Sequence, residues 1–93
     1  MLDLNLVLQL NEDIVLRGVS NKYWALNVKN GNQYRLNEVA HFLLNCFREP
    51  KPIKLSLDEI MQEYRVEREQ LLKDCESVLQ IAIDNDIVKE VKL

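Results

Sequence analysis

The chain has 93 residues, 47% hydrophobic and 29% charged, with a formal net charge of −3, which predicts a single domain over residues 1–93. This charge argues against binding nucleic acid or an anionic membrane, and no apolar run approaches the ~18 residues of a membrane span. No signal peptide is present and the two cysteines have no metal-ligand spacing, so we expect a cytoplasmic protein with buried, reduced thiols.

The first half of the chain has the patterns of β-strands. Leucines alternate with other residues from Leu2 to Leu10, and this period of two predicts a strand. Asn11 to Asp13 supplies turn residues before an extended run over Ile14 to Arg17, so the two runs form either one bent strand or a hairpin. A turn at residues 20–21 precedes a strand from Tyr23 to Val28.

The pairing of that strand with the next depends on the loop that contains Gly31. A two-residue turn at Asn30-Gly31 would place the apolar residues of the two strands on opposite faces of the sheet. A three-residue loop with Gly31 in the left-handed conformation would place them all on one face, and the sequence therefore favours it. The pairs in this register are Leu26 with Tyr34 and Trp24 with Leu36.

Two helices follow the last of these strands. Asn37 stands at an N-cap position, and apolar residues recur at helical spacing as far as Phe47, so the first helix should end near Arg48. Ser56 and Glu59 have the spacing of a capping box, which predicts the start of a second helix. Its buried side would comprise Leu57, Ile60, Met61 and Tyr64.

A third helix is predicted from about Glu67 to Asn85. Its apolar residues cover an arc of roughly 140°, with Ile81 about 60° beyond Val78, whereas a helix on a small core needs about 100°. Either the part of the apolar arc beyond the core lines a groove, or the whole arc is buried. Asn85 is the expected left-handed C-cap, after which an apolar tail should pack on the fold.

Residue spacing offers no catalytic centre. His41 and Cys46 are five residues apart on a helix and so are not adjacent, and the acidic residues of the third helix form no two-carboxylate site. Neither a phosphate-binding loop nor a metal or cofactor motif occurs. We therefore expect no catalytic residues, no metal, no cofactor and no enzymatic activity.

The predicted strands followed by helices carry a set of motif residues: Gly31, the run Tyr34 to Asn37, Ala40, Asp74 and the pair Ile87-Val88. This combination is similar to the PqqD-like family of peptide chaperones, the recognition elements of ribosomally synthesised, post-translationally modified peptides. The resemblance runs from about Leu10 to Val88, and the family often has Gly where this chain has Asp86. It implies an α+β, winged-helix-like fold with a three-stranded antiparallel sheet followed by three helices.

The resemblance also implies a function. The domain would bind the leader segment of a precursor peptide and deliver it to a peptide-modifying enzyme of a lasso-peptide, radical-enzyme or cofactor pathway. Pro-Glu, common near the second turn in the pyrroloquinoline-quinone branch, is replaced by Lys29-Asn30-Gly31, which leans toward the first two pathways. The leader would add as a strand to the free edge of the third strand, beside the third helix. The expected peptide-binding residues are Gln33, Tyr34, Arg35, Leu36, Leu71, Lys73, Asp74, Cys75 and Val78.

Two other functions are compatible with the same elements. A winged-helix DNA-binding regulator is the main alternative, but the acidic residues of the third helix would repel phosphates. A homodimer could form through the leucine-rich N-terminal strand. A short precursor reading frame beside the gene would favour the chaperone, and a palindromic upstream site would favour the regulator.

Overall fold

The computed structural model describes residues 3–92, which form two three-stranded antiparallel sheets and three α-helices. The strands are β1 (Val7–Leu10), β2 (Ile14–Val19), β3 (Lys22–Asn27), β4 (Gln33–Leu36), β5 (Lys51–Pro52) and β6 (Val88–Glu90). The helices are α1 (Glu38–Asn45), which continues as a 3-10 turn over Cys46–Arg48, α2 (Ile53–Glu63) and α3 (Arg68–Asp84). The predicted α+β class, an antiparallel sheet followed by three helices, is confirmed.

The strand β1 is central in the first sheet, between β5 and β6. The predicted N-terminal strand holds only from Val7, because residues 4–5 form a turn, and Leu2 lies outside the described residues. The carbonyls of Leu4 and Leu6 accept the amides of Lys54 and Ile53 at 3.0 Å each, so this segment caps α2. Both backbone edges of β1 are paired, so the homodimer predicted through this strand would have to use side chains.

The second sheet has the order β2-β3-β4, with β4 at an open edge. Because β1 and β2 belong to different sheets, the bent strand and the hairpin proposed for them are both wrong. The predicted turn at residues 20–21 does join β2 to β3, and Ser20 and Asn21 have φ values of 51° and 65°.

The predicted register between β3 and β4 is wrong by one residue, since Leu26 lies opposite Gln33 and Ala25 opposite Tyr34. The cause is the loop, which spans residues 28–32. The side-chain oxygen of Asn27 accepts the amides of residues 29 and 30 at 2.9 and 3.2 Å, and the Asn27 amide donates to the carbonyl of Asn32 at 2.8 Å. Gly31 has the predicted positive φ, 80°. A register shift of one residue moves the side chains of one strand to the other face of the sheet relative to its partner. Trp24 and Leu26 therefore lie on the face opposite to Tyr34 and Leu36.

The core lies between β1, the inner face of the second sheet and the three helices. Its fully buried residues include Leu8, Leu43, Leu44, Phe47, Ile53, Leu57, Ile60, Leu79, Ile87 and Val88. On the inner face, Gly18 leaves room for the ring of Tyr23, two atoms of which would lie 2.9 Å from a Cβ at Gly18. This contact explains the glycine in the middle of β2.

The helix starts were predicted with mixed success. Asn37 caps α1 as expected, since its Oδ1 accepts the amide of Ala40 at 2.7 Å. The capping box is wrong: α2 begins at Ile53, Ser56 is fully buried inside it, and Glu59 pairs with Lys51 at 2.8 Å. The helix starts early because Pro52 leads directly from β5 into the first turn. Of its predicted buried side, Leu57 and Ile60 are buried, Tyr64 is half-buried and Met61 is exposed.

The end of α3 forms a Schellman motif. The amide of Ile87 donates to the carbonyl of Ala82 at 2.8 Å, and the amide of Asp86 donates to that of Ile83 at 3.2 Å. The left-handed residue is Asp86, with φ 58°, and the prediction of Asn85, whose φ is −105°, is off by one. The apolar tail packs as expected, because Ile87 and Val88 are buried.

Replacing Asp86 by glycine should stabilise the protein. A side chain at positive φ is strained, so we expect Asp86→Gly to raise the free energy of unfolding by about 0.5–1 kcal/mol in urea titrations. Asn85→Gly is the control and should destabilise the protein, because Asn85 has a negative φ, so glycine there relieves no strain, adds freedom to the unfolded chain and removes the hydrogen bond from the Asn85 side-chain amide to the Ile81 carbonyl at 2.8 Å. Equal stability changes in the two variants would contradict this assignment of the cap.

Candidate functional site

The open edge of β4 offers unpaired backbone groups. In an antiparallel ladder, successive residues direct their N–H and C=O groups to opposite sides of the strand. Because Asn32 accepts the amide of Asn27, alternation directs the backbone groups of Tyr34 and Leu36 toward β3. The N–H and C=O groups of Gln33 and Arg35 therefore point to the open edge, where another strand can pair with them.

A cleft of about 410 Å³ runs along this edge, between β4 and the C-terminal half of α3. We call it the upper cleft. Its strand side consists of residues 33–36, and its helix side includes Val78 and Ile81. Ile81 is 57% exposed, an unusual solvent exposure for a large apolar side chain in a small domain. An apolar side chain entering this cleft would cover it.

A second cleft of about 310 Å³, the lower cleft, lies between the start of α1 and the N-terminal half of α3. The two clefts share Asn37, Ala40 and Val78 in their walls, so they form one continuous groove. The floor of the lower cleft is apolar. Its rim is polar and partly acidic, with Glu67 and with Asp74, whose Oδ1 accepts the side-chain amide of Gln70 at 3.0 Å.

The structure brings eight of the nine predicted binding residues to this groove. The four β4 residues line the upper cleft, Leu71, Asp74 and Cys75 line the lower one, and Val78 lines both. Leu71 and Cys75 are each only 3% exposed and form the floor, whereas Val78 is half-buried and accessible. Lys73 lies on another side of α3, on a shallow surface beside Ser77, so this geometry does not support its predicted contact.

Several groove residues were not predicted. Ile81, Ala82 and Ile87 line the upper cleft, and Val66 and Gln70 line the lower one. The width of the apolar arc on α3 is a usable signal for Ile81, because it places that residue beyond the part of the helix that a small core covers. Val66 and Gln70 have no such signal, since their position depends on how the α2–α3 corner packs.

The cysteine and histidine side chains are held in neutral forms, and of these only Cys75 lines the groove. Cys46 and Cys75 are free thiols, and Cys75 is buried as predicted, whereas Cys46 is half-buried. Burial raises the pKa of Cys75 to about 11, and burial together with a hydrogen bond to Glu59 raises that of Cys46 to about 12. Burial, and secondarily Arg48, lower the pKa of His41, whose ring stacks on Tyr23 at 4.5 Å between centroids. Neither thiol is an activated nucleophile at neutral pH.

The described part of the chain contains no helix that is both long and apolar enough to cross a membrane. Among residues 3–92, no group of three or more His, Cys, Asp or Glu side chains is placed to hold a metal ion.

Comparison with known proteins gave one family match. The family model for coenzyme PQQ synthesis protein D (PqqD) matches residues 14–88. No curated protein matches the sequence.

Two solved structures resemble the fold. TbiB1 in complex with the TbiA(beta) leader peptide has 18% sequence identity and a TM-score of 0.73, covering 91% of this chain and 99% of that chain. Lasso peptide synthetase B1 complexed with the leader peptide has 17% identity and a TM-score of 0.70, covering 88% and 96%. At these identities the likeness establishes a common fold.

Proposed function

The chain belongs to the PqqD family, and from this premise we propose that it binds the leader segment of a precursor peptide by strand addition at β4. It then delivers the peptide to a modifying enzyme, performs no catalysis itself and acts in the cytoplasm. The observation that carries this proposal is the open edge of β4 with an apolar groove beside it.

Backbone pairing supplies the sequence-independent part of the binding. The outward N–H and C=O groups of Gln33 and Arg35 bond to alternate residues of the added strand, which extends the β2-β3-β4 sheet. Because water already satisfies these groups in the free protein, each bond contributes only about 0.5–1.5 kcal/mol.

Side chains of the peptide supply the selectivity. Every second residue of the added strand points into the groove, where Val78 and Ile81 offer apolar contact. Beyond the strand, the lower cleft accepts a further apolar anchor over Leu71 and Cys75, with Asp74 available at its rim. A leader that fits should therefore alternate apolar residues with polar ones and continue into one more apolar side chain.

The pathway is proposed to be that of a lasso peptide or of another ribosomal precursor. The two structural neighbours are complexes with leader peptides, and one of them is a lasso peptide synthetase B1. DNA binding is not proposed, because Glu67 and Asp74 at the rim of the groove, together with Glu69 in the first turn of α3, would repel phosphates.

Proline at position 35 tests strand addition directly. The N–H of Arg35 points to the open edge, so Arg35→Pro removes a donor for the peptide without removing a bond to β3. We expect the affinity for a synthetic leader, taken from the short precursor frame expected beside the gene, to fall about tenfold or more in calorimetric titrations. Arg35→Ala is the matched control, because it retains the N–H and should cost less than about 1 kcal/mol.

The same titration followed by NMR should move the amide resonances of Gln33 to Leu36 together with those of α3. If Arg35→Ala weakens binding as much as Arg35→Pro, the guanidinium and not the backbone is the contact. If the resonances of β4 stay in place while another surface responds, the proposed site is wrong.

A further inference from the structure

The outer face of the second sheet, which points away from the core, is a separate surface from the groove floor. Strand alternation and the observed register define it, and we call it the outer sheet face. Its outward strand positions are Val15, Arg17, Val19, Lys22, Trp24, Leu26, Gln33 and Arg35.

This face is apolar at its centre. Trp24 and Leu26 are half-buried and lie outside the set of residues that pack on the hydrophobic core, although the neighbouring Ala25 is fully buried in it. Val15 is opposite Leu26 and is 42% exposed, and Val19 is 61% exposed. Tryptophan has the largest contact surface of any side chain, so its placement away from the core favours a covering partner.

The charged residues within the strands of this face are all cationic. Trp24 lies between two arginines, opposite Arg17 of β2 on one side and opposite Arg35 of β4 on the other. The Cζ atom of Arg35 is 5.3 Å from the Trp24 ring centroid. With Lys22, the residues of the three strands place three cations on this face, although the whole chain has a net charge of −3. By the same alternation Asp13, just before β2, falls on this face beyond Val15, at the end of the sheet away from Lys22.

We propose that the outer sheet face docks an acidic protein surface with an apolar centre, and that this surface belongs to the enzyme that receives the peptide. Carboxylates on the partner would meet Arg17 and Arg35, and an apolar side chain would cover Trp24 and Leu26. A second copy of this chain is a poor occupant, because it would bring arginine against arginine.

The choice of the enzyme as occupant rests on the proposed function. A leader strand added at β4 would lie beside Arg35, so its outward side chains would extend the outer sheet face. An enzyme docked there would contact the bound leader as well as the protein. The loaded domain would then offer a larger surface than the empty one.

A short capped peptide that alternates Glu with Leu and Phe is the probe, and its matched control has Gln in place of Glu. Trp24 is the only tryptophan, so its fluorescence reports this face directly. We expect the acidic probe to change the Trp24 emission, and in NMR spectra of the full chain to shift the resonances of Val15, Arg17 and Trp24. Binding should weaken roughly fivefold or more with the Gln peptide, with added salt or with Arg17→Glu.

Two variants separate this proposal from the leader site. Lys89→Glu, a charge reversal on β6 in the other sheet, should leave probe binding unchanged. Val78→Asp in the groove should also leave it unchanged, so a protein that binds no leader can still be tested on this face. Conversely, Trp24→Thr and Arg17→Glu should bind leader as the parent does.

Three results would overturn the proposal. A probe that shifts only β4 edge and α3 resonances would lie in the groove. A Gln peptide that binds as well as the acidic one would remove the role of charge. A dimer in sedimentation that Trp24→Thr dissociates would make a second copy the occupant.

Discussion

Val78→Asp is expected to weaken leader binding by about a hundredfold or more, that is, by roughly 3 kcal/mol or above. Val78 is half-buried and lies where the two clefts meet, so any peptide that occupies both must pass over it. A carboxylate there would lose its water when the peptide binds, and Arg35, the cationic residue of the groove lining, holds its guanidinium against the Trp24 ring instead. Because the side chain is accessible in the free protein, the fold should tolerate the change.

Ser77→Asp is the matched control for Val78→Asp. It adds the same charge to the adjacent, exposed residue of α3, on the shallow surface that also includes Lys73. Calorimetric titration of both variants with the same leader should show a large loss only for Val78→Asp. Equal losses would mean that the charge of the helix matters and not the groove, and no loss in either would exclude the upper and lower clefts as the binding site.

Leu71→Asp is expected to destabilise the fold itself, by about 3 kcal/mol or more at neutral pH. Leu71 is 3% exposed and belongs to the core cluster, although it also forms part of the groove floor. A buried carboxyl group has a raised pKa in the folded state, whereas in the unfolded chain it ionises near pH 4. The loss of stability should therefore grow as the pH rises above about 4 and shrink as the pH falls toward it.

Urea denaturation of Leu71→Asp at several pH values checks this sign. Leu71→Ala is the control, because it removes the same core contacts, costs about 2–5 kcal/mol and should show no pH dependence beyond that of the parent. A Leu71→Asp protein as stable as the parent would show that the lower cleft is open to water at its floor.

Leu71 and Val78 differ in burial, although the apolar pattern of α3 does not distinguish them. Leu71 and Val78 lie on the same apolar arc, and the sequence predicts both as groove residues. Their exposures differ because α1 packs over the N-terminal part of α3 more closely than β4 does over its C-terminal part. The helical pattern predicts the direction in which a side chain of α3 points. The elements packed against α3 decide whether that side chain forms the wall or the floor of the groove.

Several features of the fold follow from local chemistry and were predicted correctly. Gly31 takes a positive φ because a residue without Cβ does so at little cost, and Asn37 caps α1 because its side chain reaches the third amide of the helix. The extent of α3 follows from its helical period. Each of these depends on residues within a few positions of one another.

The errors share a different origin. The register of β3 and β4 depended on whether the loop closed over three or five residues, and the side chain of Asn27 decided it by accepting two loop amides. The capping box at Ser56 failed because the carbonyls of Leu4 and Leu6, in the N-terminal segment, accept the first amides of α2 three residues earlier. In both cases a contact outside the motif supplied the hydrogen bond that the motif would have made.

The sequence alone determined the class of fold, the helix α3 with its wide apolar arc, the open strand at Gln33 to Leu36 and the family resemblance. These depend on periodicity and on short motifs, which local backbone preferences enforce. Only the tertiary structure decided that the β3 register shifts by one residue, that Trp24 and Leu26 therefore point outward beside Arg17 and Arg35, and that Lys73 lies away from the groove. The physical reason is that the contacts of a strand face or of a helix side are made with segments distant in sequence. In a strand, a register shift of one residue also exchanges the two faces.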